Sequence, residues 1–95
     1  MNSLNSQREN FDKLYLCVLR NPGVIYKMAY GEDIFEASFD RAYEVENGFN
    51  VGEEEYEEFF ALRFNLRLED GSLNQFEITY RDMPDRVWCN GTQIL

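Results

Sequence analysis

Histidine is absent from this 95-residue chain. That absence removes imidazole as a metal ligand, as a proton shuttle near neutral pH and as the base of a Ser/His/Asp or Cys/His couple. Only two cysteines are present, Cys17 and Cys89, too few to build a zinc site unaided. Their positions leave open whether they meet, and with no secretion signal in view they read as two buried thiols. Basic residues are scarce: nine Lys and Arg, with Lys13 and Lys27 the only lysines, stand against eighteen acids for a net charge of −9. That sign is wrong for holding phosphates or an anionic membrane surface, so neither direct nucleic-acid binding nor membrane association is expected. No apolar run approaches the roughly 20 residues that cross a bilayer, and the opening MNSLNSQREN shows no basic segment followed by an apolar one. The expected compartment is the cytoplasm.

What the chain has in quantity is aromatic residues, eight Phe, six Tyr and one Trp, which let a short chain bury a core as one domain over residues 1–95. Ser6 and Glu9 have capping-box spacing, and Phe11, Leu14, Tyr15, Val18 and Leu19 then recur at helical intervals. The spacing predicts an amphipathic helix from about Ser6 until Asn21-Pro22-Gly23 stops it. Beyond that the period is two. Val24, Tyr26, Met28 and Tyr30 form one side of a first strand, and Phe35, Ala37, Phe39, Tyr43 and Val45 one side of a second. After the Asn47-Gly48 turn, Phe60, Leu62, Phe64, Leu66 and Leu68 mark a third strand. Asp70-Gly71 then turns the chain into a fourth that carries Phe76, Ile78 and Tyr80. Asp82-Met83-Pro84-Asp85 breaks that strand. Val87-Trp88-Cys89, Asn90-Gly91 and Thr92-Gln93-Ile94 read as a small hairpin with Trp88 opposite Gln93. One N-terminal helix followed by strands, without βαβ alternation, gives an α+β fold: the helix packs on an antiparallel β-meander of about four strands with a short C-terminal hairpin.

Charge is spread unevenly along this order. Residues 1–31 carry +2 and residues 59–95 carry −1, whereas residues 32–58 hold eleven acids against Arg41 alone. Glu36, Asp40, Glu44 and Glu46 share one strand parity and project from one face, and the run Glu53, Glu54, Glu55, Tyr56, Glu57 and Glu58 extends or rims that face. Carboxylates this dense repel one another, and a cationic partner relieves that repulsion while gaining fast, salt-sensitive association. Aromatics interleave with them. Phe59, on the parity opposite Phe60, is a candidate interface anchor. The expected partner-binding set is therefore Glu36, Asp40, Glu44, Glu46, Glu53–Glu58 with Tyr56, and Phe59, meeting a basic protein.

Other chemistries lack their signatures. The Glu53–Glu58 run has no D-x-[DN]-x-[DN]-G loop for calcium, no glycine-rich phosphate loop occurs, and a short meander offers little depth for carboxylate acid–base work. No catalytic residue, cofactor or metal is expected, and the chain reads as a binding protein rather than an enzyme.

The stretch E-Y-E-E-F-F-A-L-R-F at Glu55–Phe64 and the segment E-I-T-Y-R-D-M-P-D-R-V-W-C-N-G at Glu77–Gly91, within an acidic single-domain chain, resemble the small acidic immunity proteins of bacteria. These inhibit toxins delivered between cells. The resemblance implies an inhibitor without catalysis that plugs the positively charged site of a toxin, a nuclease being the fitting class. The alternative is a nucleic-acid mimic of the anti-CRISPR or anti-restriction type from a phage or mobile element, in which the same carboxylates stand in for a row of phosphates.

Overall fold

The computed structural model of the chain describes residues 4–46, 48, 50, 52–54, 57–67 and 70–95. Helix α1 runs Leu4–Arg20, starting two residues before Ser6, so Ser6 lies in its first turn instead of capping it. Phe11, Leu14 and Val18 are buried and Tyr15 is half-buried, as an apolar stripe requires. Leu19, assigned to that stripe by its spacing, is 58% exposed, because the buried arc is narrower than the apolar one. Full burial of Leu14 and Val18 contributes about 1.5–3 kcal/mol each. The helix ends where Asn21 turns its backbone N–H (2.9 Å) and its side-chain amide (3.1 Å) onto the carbonyl of Cys17. The Tyr26 hydroxyl donates to the Asn21 carbonyl at 2.8 Å and fastens that end to the sheet.

The strands are β1 (Ile25–Tyr30), β2 (Asp33–Glu46), β3 (Glu58–Arg67), β4 (Leu73–Ile78), β5 (Arg86–Cys89) and β6 (Thr92–Gln93). They form one antiparallel sheet of order β4-β3-β2-β1-β5-β6. The fold is α+β, with six strands in one sheet among the described residues. The C-terminal hairpin is not an appendage, since β5 pairs with β1 and extends the sheet on that side, Tyr26 opposite Cys89 and Lys27 opposite Trp88. To get there the chain crosses from β4 to the far side of β1. The crossing is held by the Asp85 N–H donating to the Ala29 carbonyl (2.8 Å) and by the Asp85 carboxylate accepting from the Gly31 N–H (2.5 Å). Trp88 does sit opposite Gln93, and Asn90 and Gly91 both take positive φ (52° and 81°) in the two-residue turn.

The core lies between α1 and one side of the sheet. Tyr26, Met28, Ala37, Leu62, Phe64, Ile78 and Val87 are almost fully buried there with the helix residues. Phe64 is its centre, with ring contacts to Tyr26, Phe39 and Phe76 at 5.6–5.9 Å. Among the described residues no element covers the opposite side of the sheet. Register places Ile25, Lys27, Ile34, Glu36, Arg63 and Trp88 on that open side.

One irregularity decides where the charges go. Phe39 pairs with Phe64 and Arg41 with Arg63, so Asp40 is an extra residue, a β-bulge. Up to Phe39 the odd-numbered residues of β2 face the core. After the bulge the even-numbered ones do, with Ala42 opposite buried Leu62 and Glu44 opposite Phe60.

Candidate functional site

The bulge overturns the expectation of a single carboxylate face on β2. Glu36 sits opposite Lys27 on the open side of the sheet, whereas Glu44 and Glu46, in phase with Ala42, project on the side that carries α1. Asp40 occupies the bulge itself, its carboxylate 4.0 Å from the guanidinium of Arg41. The same phase change puts Tyr43 on the open side, contrary to its expected place with Phe39. Tyr43 lies beneath Arg63, whose guanidinium carbon is 5.1 Å from the ring centre.

What remains together is the distal end of the β2–β3 hairpin. Glu46 and Glu58 are directly opposite one another across the strands, and with Glu44 and Val45 they line one shallow depression. Directly opposed side chains are the nearest neighbours on a sheet, so the two carboxylates belong to one local surface. Glu53 and Glu54 are exposed in the connection leading to β3. Glu55 and Tyr56 lie outside the described residues.

Glu57 does something different from its neighbours. Its carboxylate pairs with Arg8 on α1, accepts a hydrogen bond from the Tyr80 hydroxyl and lies 3.5 Å from Arg81. Arg81 also donates from Nε to the Tyr80 oxygen at 2.9 Å, and the Arg8 guanidinium covers the Tyr80 ring at 4.1 Å. The Tyr80 hydroxyl, followed by Arg8, holds the Glu57 carboxyl below the usual carboxylate range against the opposing effect of burial. Expected as an outward contact, Glu57 instead ties the start of α1 to the start of β3.

The roles expected of Phe59 and Phe60 exchange. Phe59 packs against the core, edge-on to Tyr80 at 5.6 Å and 89°, because the Tyr80 ring closes over it after β4 ends. Phe60 is 42% exposed, past the buried stripe of α1, with Tyr15 of the helix 5.6 Å away. Among the described residues Phe60 is the exposed large aromatic of the hairpin, and Glu44 is its cross-strand neighbour. Sequence reasoning placed Phe60 in the core from its alternation with Leu62 and Phe64, and nothing local marks where the helix stops covering a strand.

Between α1 and β3 lies a cavity of about 420 Å³ lined by aromatic rings together with Arg8, Asp12 and Glu58. The two cysteines remain thiols, Cys89 buried and Cys17 only half-buried. Burial raises the Cys89 thiol above its ordinary value, and the nearby Cys17 adds to that rise. Among the described residues no group of three or more Cys, Asp or Glu is arranged to hold a metal ion, and no helix is long and apolar enough to cross a membrane. No protein-family model, curated protein or solved structure matches the chain.

Proposed function

We propose that this chain is a non-catalytic inhibitory binding protein of the immunity type, which neutralises a basic bacterial toxin of nuclease class through the acidic end of the β2–β3 hairpin. The observation that carries the reading is Glu46 set directly opposite Glu58, with Glu44 on the same depression. Three carboxylates on one shallow depression form a compact acidic surface, to which a basic partner is electrostatically complementary. Exposed Phe60 beside Glu44 supplies the apolar anchor that a docking patch needs. A compact patch suits one docked partner. A phosphate mimic calls for an extended row of carboxylates on one surface, and the separation of Glu36 from Glu44 and Glu46 weighs against it.

The test is inhibition of a partner captured from the producing cell. Wild-type protein should suppress that partner's activity, the double variant Glu44→Lys/Glu46→Lys should bind at least about a hundredfold more weakly, and Glu36→Lys on the opposite side should bind as wild type does. Full inhibition by the double variant would sink the reading. Loss of binding by Glu36→Lys equal to that of the double variant would do so as well.

A further inference from the structure

We propose that Cys17 and Cys89 form a dithiol modification site, at which a small anionic disulfide of the glutathione class oxidises the pair to one internal disulfide. The two thiols belong to different elements, Cys17 to the last turn of α1 and Cys89 to the end of β5. Tyr26 stands between them. It pairs directly with Cys89 across the sheet, and its hydroxyl lies 3.3 Å from the Cys17 carbonyl oxygen and 3.9 Å from the Cys17 sulfur. The Cys89 thiol is in turn within hydrogen-bonding reach of Cys17 and of Tyr26, and both cysteines pack on the same buried cluster. Both are free thiols.

The two differ in access, and that sets the order of events. Cys89 is buried, whereas Cys17 is half-buried and lines a cavity of about 430 Å³ with Lys13, Leu16, Arg20, Asn21 and Ile94. Among the described residues this lining holds two cations and no carboxylate, in a chain of net charge −9. Each half of glutathione disulfide carries two carboxylates against one ammonium, so Lys13 and Arg20 draw the reagent to Cys17, and the cavity is within the size range of small-ligand pockets. Cys17 gives its proton to solvent, and the thiolate attacks one sulfur of the bound disulfide. That S–S bond breaks, one glutathione leaves as a thiolate and the other stays on Cys17. Cys89 then loses its proton and attacks the Cys17 sulfur, displacing the second glutathione. The chain gives up two electrons and two protons, and one glutathione disulfide becomes two glutathiones. The new bond ties the end of α1 to β5.

The experiment treats the full, folded chain with glutathione disulfide and follows intact mass, with non-reducing peptide mapping of the product. A monomer lighter by two hydrogens is expected, its Cys17 and Cys89 peptides linked and its Tm raised by more than about 5 °C, all reversed by dithiothreitol. A glutathione left on each cysteine, a bond found only between two chains, or no product until denaturant unfolds the protein would overturn the proposal. The wild-type product decides this without recourse to a variant. Cys89→Ser should then stop at one glutathione on Cys17, and Cys17→Ser should leave Cys89 unmodified over the same time. Lys13→Gln/Arg20→Gln should slow the reaction about threefold or more with glutathione disulfide, and leave the rate with uncharged hydroxyethyl disulfide unchanged. Modification of Cys89 in Cys17→Ser at the wild-type rate would overturn the assigned order, and equal rates for the Lys13/Arg20 variant and wild type with glutathione disulfide would overturn the assigned reagent.

Discussion

Glu57 binds partners 49 residues before it and 23 and 24 residues after it in the chain, Arg8, Tyr80 and Arg81. Its carboxyl is held below the ordinary value when folded, chiefly by the Tyr80 hydroxyl. The stabilisation it contributes is therefore complete above the unfolded carboxylate pKa and is lost as pH falls through the lower folded value. Glu57→Gln should show a deficit of about 1 kcal/mol at neutral pH, roughly 4–8 °C in Tm for a chain of this size. Because a protonated Glu57 resembles Gln, the two Tm curves should converge as pH falls through the lowered folded value. A thermal denaturation series across pH checks this, and a deficit that stays constant with pH would mean the network is held by shape and not by charge.

At the scale of elements, β2 is two strands in opposite phase joined at Asp40. Deleting Asp40 removes the extra residue and leaves every pair on either side in place, Phe39 with Phe64 and Arg41 with Arg63. Deleting Ala42 instead brings either Tyr43 or Arg41 opposite buried Leu62. The Asp40 deletion should keep the native pattern of amide resonances with a loss of about 1 kcal/mol or less. The Ala42 deletion should lose about 3 kcal/mol or more, read by chemical denaturation. The bulge also explains what the sequence could and could not disclose. The stripe at Phe11, Leu14 and Val18 and the Asn90-Gly91 turn are local signals, each contained within a few residues, and they were readable. Alternation along β2 was readable too, but counting it straight through Asp40 assumes an unbroken ladder. The one available warning was Arg41, which unbroken alternation puts on the apolar side between Phe39 and Tyr43. Pairing of β5 with β1, and of Glu57 with Arg8, joins residues about 50 or more positions apart, and no local pattern announces either.

At the scale of the whole molecule, the −9 charge is organised by side. Among the described residues the open side of the sheet carries Lys27, Arg41, Arg63 and Arg86 against Glu36, Glu77 and, beside Arg41, Asp40, so it is cationic on balance, and the excess of acid lies elsewhere. Screening should therefore stabilise the fold. Added NaCl is expected to raise Tm, and Glu44→Gln should start from a higher Tm, by the equivalent of about 0.5 kcal/mol, and respond less steeply to salt. A scan of Tm against NaCl for both proteins measures it, and identical salt slopes would show that the Glu44 carboxylate does not strain the fold.

The open side also holds the chain's single tryptophan. Trp88 is flanked by Lys27 at 5.3 Å and Arg86 at 5.4 Å on the uncovered sheet surface, on a strand separated from the β2–β3 hairpin by β1. Intrinsic indole emission is thus a reporter wired to one side of the molecule alone. A ligand that engages the hairpin can be saturating and yet spectroscopically silent, while anything that shades the bare sheet announces itself in the colour of the emitted light.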